Sequence, residues 1–120
     1  ASFGSEVSLV NAEGAQVLVT KPSLEARFWP GGVPGVDRHH RPSLAYRLSL
    51  VAEGRFDAMV TFRPAWEWDI AAGALIMEEA GARVTDVQGA ALRFNNAHPQ
   101  TAGVLGANPA LHAALLDRML

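Results

Sequence analysis

Short apolar runs alternate with helical patterns along most of this chain, and that alternation limits the folds open to it. Residues 15–20 (AQVLVT) and 57–62 (DAMVTF) are continuous apolar runs, typical of strands covered on both faces. A helical pattern over residues 43–53, which Gly54 can terminate, separates them. A second helix is predicted to open at Asp69 and to be closed by Gly81. The order strand, helix, strand, helix predicts a three-layer α/β sandwich, with a mixed, mostly parallel sheet and helices on its faces.

The remaining segments extend this pattern. We expect a hairpin that pairs residues 6–10 with 15–20, a second hairpin that pairs 82–86 with 91–94, a strand at 101–105, and a last helix begun by Asn108 and Pro109. Residues 21–41 are rich in Pro and Gly and are predicted to be a long surface connection. Within it, Trp29 is expected to anchor the connection to the core, and a base-stacking surface is the less favoured alternative.

Composition excludes several classes of protein. The 120 residues are 49% apolar and 18% charged, which excludes disorder, and the net charge of −2 gives no reason to expect a nucleic acid polymer or a membrane as partner. The absence of cysteine excludes disulfides and thiolate metal sites. Without an apolar run that could span a bilayer or a visible signal peptide, we expect one cytoplasmic α/β domain over residues 1–120. The start at Ala1 fits either a piece of a longer protein or removal of an initiator methionine.

Asp69 is the strongest candidate for chemistry. It lies between a tryptophan pair and a run of small residues in WEWDIAAGALIMEEAG. A carboxylate at a helix start complements the helix dipole, and the same end of a helix attracts phosphate. Asp69 could there share a divalent cation with a phosphate, while residues 71–74 let the helix pack closely on the sheet. The face that carries Ala71, Ala74 and Leu75 is predicted to lie on the sheet. From spacing alone, a plain N-cap with Trp68 packed beneath it is the simpler interpretation.

Two other polar groups give weaker signals. His39 and His40 could form half of a metal site, but adjacent residues diverge and a solvated loop doublet is favoured. Glu78 and Glu79 are predicted to lie on the solvent side of their helix.

Two longer segments resemble a known family. WDIAAGALIMEEAGARVTD, residues 68–86, resembles the C-terminal signature of the inositol monophosphatase superfamily of metal-dependent, lithium-sensitive phosphatases. RPSLAYRLSLVAEGRFDAM, residues 41–59, is similar to the segment that precedes this signature. Glu67, in EWD, is closer to the 3'(2'),5'-bisphosphate nucleotidase branch than to the inositol phosphatases proper. The resemblance runs from about Ala15 to the end and implies the C-terminal domain of an inositol monophosphatase-like fold.

The resemblance also implies roles for individual residues. Asp69 matches the family's metal-ligating aspartate, here a ligand of Mg²⁺, and the helix from Ile70 and Ala71 would orient the phosphate. Ser43, which can also cap its helix, falls where the family has small or hydroxyl residues near the substrate. Where family members often carry a carboxylate that contacts substrate hydroxyls, residues 61–63 read TFR, which argues against a grip on a sugar alcohol. We assign no catalytic base or nucleophile.

The family's other metal ligands, a glutamate and an Asp-Pro-hydrophobic-Asp-Gly-Thr motif, have no counterpart in this sequence. The resemblance therefore implies the C-terminal part of a Mg²⁺-dependent phosphomonoesterase that acts on a nucleotide 3',5'-bisphosphate or on an inositol or other polyol phosphate. We expect these 120 residues to be inactive by themselves, and uncovered apolar surface makes a homo-oligomer plausible. The alternative is a non-catalytic interaction or regulatory module in which Asp69 is only a helix cap.

Overall fold

A computed structural model describes residues 14–41, 43–62, 65–90, 92, 100–101 and 103–119, with the backbone but not the side chains described at 44–45, 65–69 and 100–101. Its strands are β1 (Gln16–Leu18), β2 (Asp37–His39), β3 (Ala58–Thr61), β4 (Ala65–Trp66), β5 (Arg83–Thr85), β6 (Gln100–Thr101) and β7 (Val104–Ala107). Its α-helices are α1 (Leu44–Ala52), α2 (Glu67–Glu79) and α3 (Pro109–Met119), and two 3₁₀ turns cover Lys21–Leu24 and Ala26–Phe28.

The main sheet has the strand order β2-β1-β3-β7-β5. β1 pairs in parallel with β2 and with β3, whereas β7 pairs antiparallel with both β3 and β5. Four of the five strands therefore run in one direction, with β7 running against them. The predicted mixed sheet is confirmed, with two of its four strand pairs parallel and two antiparallel. β4 and β6 form a separate antiparallel pair.

The sheet lies between two helical layers, as predicted. Side chains alternate across each strand, so Leu18 and Met59 point to the face covered by α1 and α2, while Val17 and Val60 point to the face covered by α3. The first face is completed by residues of both helices, chiefly Leu48, Val51, Ile70 and Met77. The second is completed by Trp29, Leu105, Leu111 and Leu115.

Two glycines end the helices of the first layer. Gly81 has φ +90°, and its N–H donates to the Glu78 carbonyl at 3.0 Å while the N–H of Ala82 donates to Met77 at 2.9 Å. This pair of bonds satisfies carbonyls that a helix end leaves open. Gly54 closes α1 with the same bonding pattern and φ +81°. Both predicted helix ends are confirmed.

The connection predicted over residues 21–41 is more structured than expected. It contains the two 3₁₀ turns and the edge strand β2, so the prediction of a plain surface connection is wrong there. The charged β2 sequence, DRH, is typical of an edge strand, which pairs along one side and needs no apolar pattern. The anchoring prediction for Trp29 is confirmed, because its ring is 2% exposed and its Nε1–H donates to the Ser23 carbonyl at 2.8 Å.

The small residues of α2 pack differently from the prediction. Ala74 is buried as expected, but Ala71 is exposed and Leu75 is 59% exposed, so this face does not lie on the sheet. The buried side is instead Ile70, Gly73, Ala74 and Met77. A Cβ on Gly73 would lie 2.8 Å from the Leu48 side chain, so the close approach is between α2 and α1. α2 is apolar nearly all round, which leaves no periodicity to indicate its buried side.

Other local predictions are confirmed. β3 occupies the 57–62 run and all four of its residues are buried. The Asn108 side chain caps α3 by accepting from the N–H of Leu111 at 2.8 Å. Glu78 and Glu79 are exposed. The strand proposed at 6–10 falls outside the described residues, but β1 pairs in parallel with β2 on one side and with β3 on the other, so the predicted hairpin between 6–10 and 15–20 is wrong. The strand proposed at 91–94 lies outside the described residues, apart from residue 92. That residues 1–120 form one domain stays a prediction. No helix in the described ranges is both long and apolar enough to cross a bilayer.

Candidate functional site

Two helix starts lie at the same edge of the sheet. The four strands that run in one direction place their carboxyl ends at that edge. α1 follows β2 and α2 follows β3 after the short β4, so both helices begin there. A helix start presents unpaired N–H groups and the positive end of the helix dipole. This edge of the sheet therefore favours an anion such as a phosphate group.

The chain also changes direction at this edge. From β1 it moves to β2, at one end of the sheet, whereas from β3 it moves through α2 to β5, at the other end. Connections that leave two neighbouring strands in opposite directions open a crevice between their carboxyl ends. A cavity of about 460 Å³ occupies this position, with Thr20 just after β1 and Phe62 just after β3. Its lining is Thr20, Pro22, Ser23, Arg27, Phe28 and Phe62.

Asp69 is the third residue of α2, because the helix begins at Glu67. The prediction that Asp69 opens the helix is therefore wrong by two residues. The backbone still places Asp69 in the first turn, at the carboxyl edge of the sheet, where a negative charge complements the helix dipole. Its role as a metal ligand stays a prediction.

Ser43 is the N-cap of α1, as predicted, and its Oγ accepts from the N–H of Tyr46 at 3.4 Å. Its φ is +66°, a left-handed value that costs energy for any residue with a Cβ. Strained backbone of this kind often occurs at functional sites. The proposed substrate contact of Ser43 stays a prediction.

Ile70 and Ala71 are less well placed for phosphate than the sequence suggested. The Ile70 side chain is fully buried, and Ala71 is exposed. Since α2 starts at Glu67, Ala71 is its fifth residue, and the N–H of Ala71 has an acceptor within the helix. The N–H groups that a helix leaves open to an anion are those of its first turn, which here begins at Glu67. The assignment of Ile70 and Ala71 to the substrate stays a prediction that rests on the resemblance.

Arg47 is a further candidate that the sequence did not indicate. It lies one turn into α1, and its N–H donates to the Ser43 carbonyl. Its Nε is buried and has no hydrogen-bond partner among the described residues. Burial lowers the pKa of this guanidinium from its ordinary value, although an arginine stays charged at neutral pH. A cation therefore lies near the start of α1.

The described residues do not by themselves fit a magnesium site. Mg²⁺ requires several oxygen ligands, and no three His, Cys, Asp or Glu residues come together among the side chains that the structure describes, which do not include those of Glu67 and Asp69. His39 lies 3.4 Å from the Asp37 carboxylate without hydrogen-bond geometry and packs edge-on against Phe56, with 5.1 Å between the ring centroids. His40 is exposed, so the doublet forms no metal site within this part of the chain.

His112 shows how a buried titratable group can be structural. It is 1% exposed, and its Nε2 lies 2.8 Å from the Thr85 Oγ1. Because the Thr85 hydroxyl donates to the Asp86 carbonyl, it accepts from Nε2–H. Burial first, and then the charge of Arg83, lower the pKa of His112 to about 4. His112 is therefore neutral at pH 7 and joins α3 to Thr85, the last residue of β5.

Comparison with known proteins gives a consistent result. The model for "Inositol monophosphatase family" matches residues 11–119. Inositol-1-monophosphatase of Bacillus subtilis (strain 168) is 37% identical over 78 residues, which cover 65% of this chain and 28% of that protein. Putative Nus factor SuhB of Neisseria meningitidis is 42% identical over 71 residues, which cover 58% of this chain and 24% of that protein.

A solved structure with a similar fold is the IMPase of Thermotoga maritima. It superposes with a TM-score of 0.69 at 26% identity, over 96% of this chain and 43% of that one. The chain therefore spans about a quarter of the length of these curated relatives and somewhat over two fifths of this solved chain.

Proposed function

The chain belongs to the inositol monophosphatase family, and from this premise we propose that it forms the phosphate-orienting part of a Mg²⁺-dependent phosphomonoesterase. The observation that carries the proposal is the position of Asp69 in the first turn of α2, at the sheet edge where α1 also begins. Free amides and an acidic side chain at one helix start can receive a phosphate and a cation together.

The metal site requires ligands from outside these residues. Asp69 supplies one carboxylate, and an ion that assists phosphate hydrolysis needs several. The curated relatives are about four times as long as the segment they share with this chain, which leaves room for the other ligands in a full-length protein. We therefore propose that Asp69 is one ligand of a site completed elsewhere, and that the isolated 120 residues have no appreciable activity.

The substrate is proposed to be a small phosphate ester, either a nucleotide 3',5'-bisphosphate or an inositol or other polyol phosphate. β3 ends at Thr61 and Phe62 follows it, so the strand end that would contact sugar hydroxyls offers a hydroxyl and an aromatic ring in place of a carboxylate. Sensitivity to lithium is expected from the family resemblance. Self-association is a further expectation, which the exposure of Leu75 (59%) and Ile76 (42%) supports.

A non-catalytic module in which Asp69 only caps its helix is less consistent with the structure. An N-cap residue precedes the helix, whereas Asp69 lies inside the first turn. At that position a carboxylate still favours the helix through its dipole, but capping no longer explains why an aspartate stands there.

The test compares the full-length protein with residues 1–120. With Mg²⁺ present, we expect the full-length protein to release phosphate from adenosine 3',5'-bisphosphate or inositol 1-phosphate in a lithium-sensitive manner. The 120-residue chain should release none from either substrate. Robust release by the short chain would contradict the requirement for outside ligands, and a full-length protein inactive on both esters would contradict the phosphatase proposal.

A further inference from the structure

The cavity at the carboxyl ends of β1 and β3, here named the β1/β3 pocket, has a volume suited to a small organic ligand. Its walls are mostly rings and apolar surface, from Pro22, Phe28 and Phe62. Two hydroxyls also face it, and these already lie 3.1 Å apart as a bonded pair between Thr20 and Ser23. This bond leaves one hydroxyl hydrogen unused, so the polar groups of the described lining are these two hydroxyls and the Arg27 guanidinium.

Planar groups stack in a column along one wall. The Arg27 guanidinium lies 4.5 Å from the centroid of the Phe28 ring. Phe28 stacks on Phe62 with centroids 4.5 Å apart and planes 14° from parallel, and Trp29 meets Phe62 edge-on at 5.6 Å. The buried hydrogen bond from Trp29 to Ser23 fixes the inner end of the column. The wall is therefore ordered before any ligand arrives, which reduces the entropy lost on binding.

Arg27 forms the outer end of this column. Its side chain is 69% exposed, and its contact with Glu25 at 3.3 Å is also exposed, so water competes with this ion pair. A guanidinium that lies over a ring can receive a further planar group on its other side. Nucleobases bind proteins in this way, on arginine planes and aromatic rings.

We propose that the β1/β3 pocket binds the nucleoside part of a nucleotide substrate in preference to a polyol. The proposal rests on the phosphatase function proposed above and selects between its two substrate classes. The base stacks on the outer side of the Arg27 guanidinium, whose inner side lies over Phe28, while the pocket opens at the sheet edge where both helices begin. An inositol ring is not planar and has no π-face, so it gains no stacking on this column.

Binding of adenosine, which carries no phosphate, tests the pocket independently of catalysis. Adenosine and myo-inositol are titrated into the full-length protein without metal, and binding is followed by NMR or calorimetry. We expect adenosine to bind and inositol to bind at least about tenfold more weakly. Arg27→Gln and Phe28→Leu should each weaken adenosine binding by about fivefold or more, because the first removes the group on which the base stacks and the second removes the ring that supports this group.

Arg55→Gln is the matched control. Arg55 contacts Glu53 at 3.2 Å and is 68% exposed, so its ion pair resembles that of Arg27 with Glu25 in distance and exposure. Arg55 does not line the pocket. This variant should bind adenosine as the wild type does.

Equal binding of inositol and adenosine, or adenosine binding that Arg27→Gln and Phe28→Leu leave unchanged, would overturn the proposal. If adenosine binds as expected but no phosphate ester is hydrolysed, the pocket stands and the phosphatase proposal fails. If inositol phosphate is hydrolysed and adenosine does not bind, the phosphatase proposal stands and the nucleoside pocket is refuted.

Discussion

α1 and α2 lie side by side on one face of the sheet, begin at the same edge and end with the same glycine motif, but they start differently. α1 is capped by the side chain of Ser43. α2 follows directly from β4, which pairs with β6 through Ala65 with Thr101 and Trp66 with Gln100. A local cap therefore sets the first start, and a contact between distant segments accompanies the second.

The difference explains why a helix end is easier to predict than a helix start in this chain. A glycine at positive φ terminates a helix through its own backbone, so Gly54 and Gly81 could be identified from the sequence. The start of α2 depends on a strand pair separated by more than thirty residues along the chain. The sequence predicted that start at Asp69, the proposed metal ligand, whereas α2 begins two residues earlier, at Glu67.

Loss of the Asp69 carboxylate should produce the largest effect. In the full-length protein we expect Asp69→Asn to lower kcat/KM by roughly 100-fold or more, because a metal ligand contributes several kcal/mol to transition-state stabilisation. The free energy of unfolding should fall by no more than about 1 kcal/mol, the scale of a charge at a helix start. Steady-state kinetics and thermal unfolding measure the two effects separately.

Glu78→Gln is the control, since it removes an exposed carboxylate from the same helix near its other end. It should leave turnover unchanged. Wild-type turnover by a folded Asp69→Asn protein would show that Asp69 does not ligate the metal. The starts of α1 and α2 would then differ in how they form, but not in a metal-binding role.

Elsewhere in the chain, too, features that depend on adjacent residues could be predicted from the sequence, and features that depend on distant segments could not. The buried run of β3 and the cap at Asn108 follow from a few adjacent residues, and both are confirmed. The edge strand β2 and the column of Arg27, Phe28 and Phe62 depend on segments that meet only after folding. Composition suggested a loop for the first and gave no sign of the second. The resemblance identified the family, but the pocket required coordinates.

Enlarging a small residue between the helices should have the next largest effect. Ala74 is 2% exposed, so Ala74→Leu should overpack the layer and lower the free energy of unfolding by roughly 1–3 kcal/mol. Ala72 is exposed on the same helix, and Ala72→Leu should change it by less than about 0.5 kcal/mol. Denaturant unfolding of both variants gives the comparison. Equal midpoints would mean that close packing of α2 does not require the small residue.

Substitution of the two terminal glycines tests whether the helix ends are equivalent. Gly81 and Gly54 both have positive φ, and a Cβ on Gly81 would have no heavy atom within 4 Å. Gly81→Ala should therefore lower the free energy of unfolding by about 1 kcal/mol through backbone strain alone. Gly54→Ala should lower it by a similar amount. A difference of more than about 1 kcal/mol between the two variants would show that one end carries packing that the other lacks.

The smallest effect is expected at Ser43 and separates its cap from its proposed substrate contact. Ser43→Ala removes the bond to the Tyr46 N–H and keeps the positive φ, so we expect a loss of about 1 kcal/mol in the free energy of unfolding. Ser43→Gly loses the same bond but relieves the strain at φ +66°, and glycine is itself a tolerated N-cap. Its free energy of unfolding should stay within about 0.5 kcal/mol of the wild type.

Ser43→Gly is thus the variant in which activity can be measured with the start of α1 intact. If the hydroxyl contacts the substrate, KM rises in Ser43→Gly although thermal unfolding is unchanged. Wild-type KM and kcat in Ser43→Gly would assign Ser43 to capping only, and the anion-binding function of this edge would then depend on the start of α2.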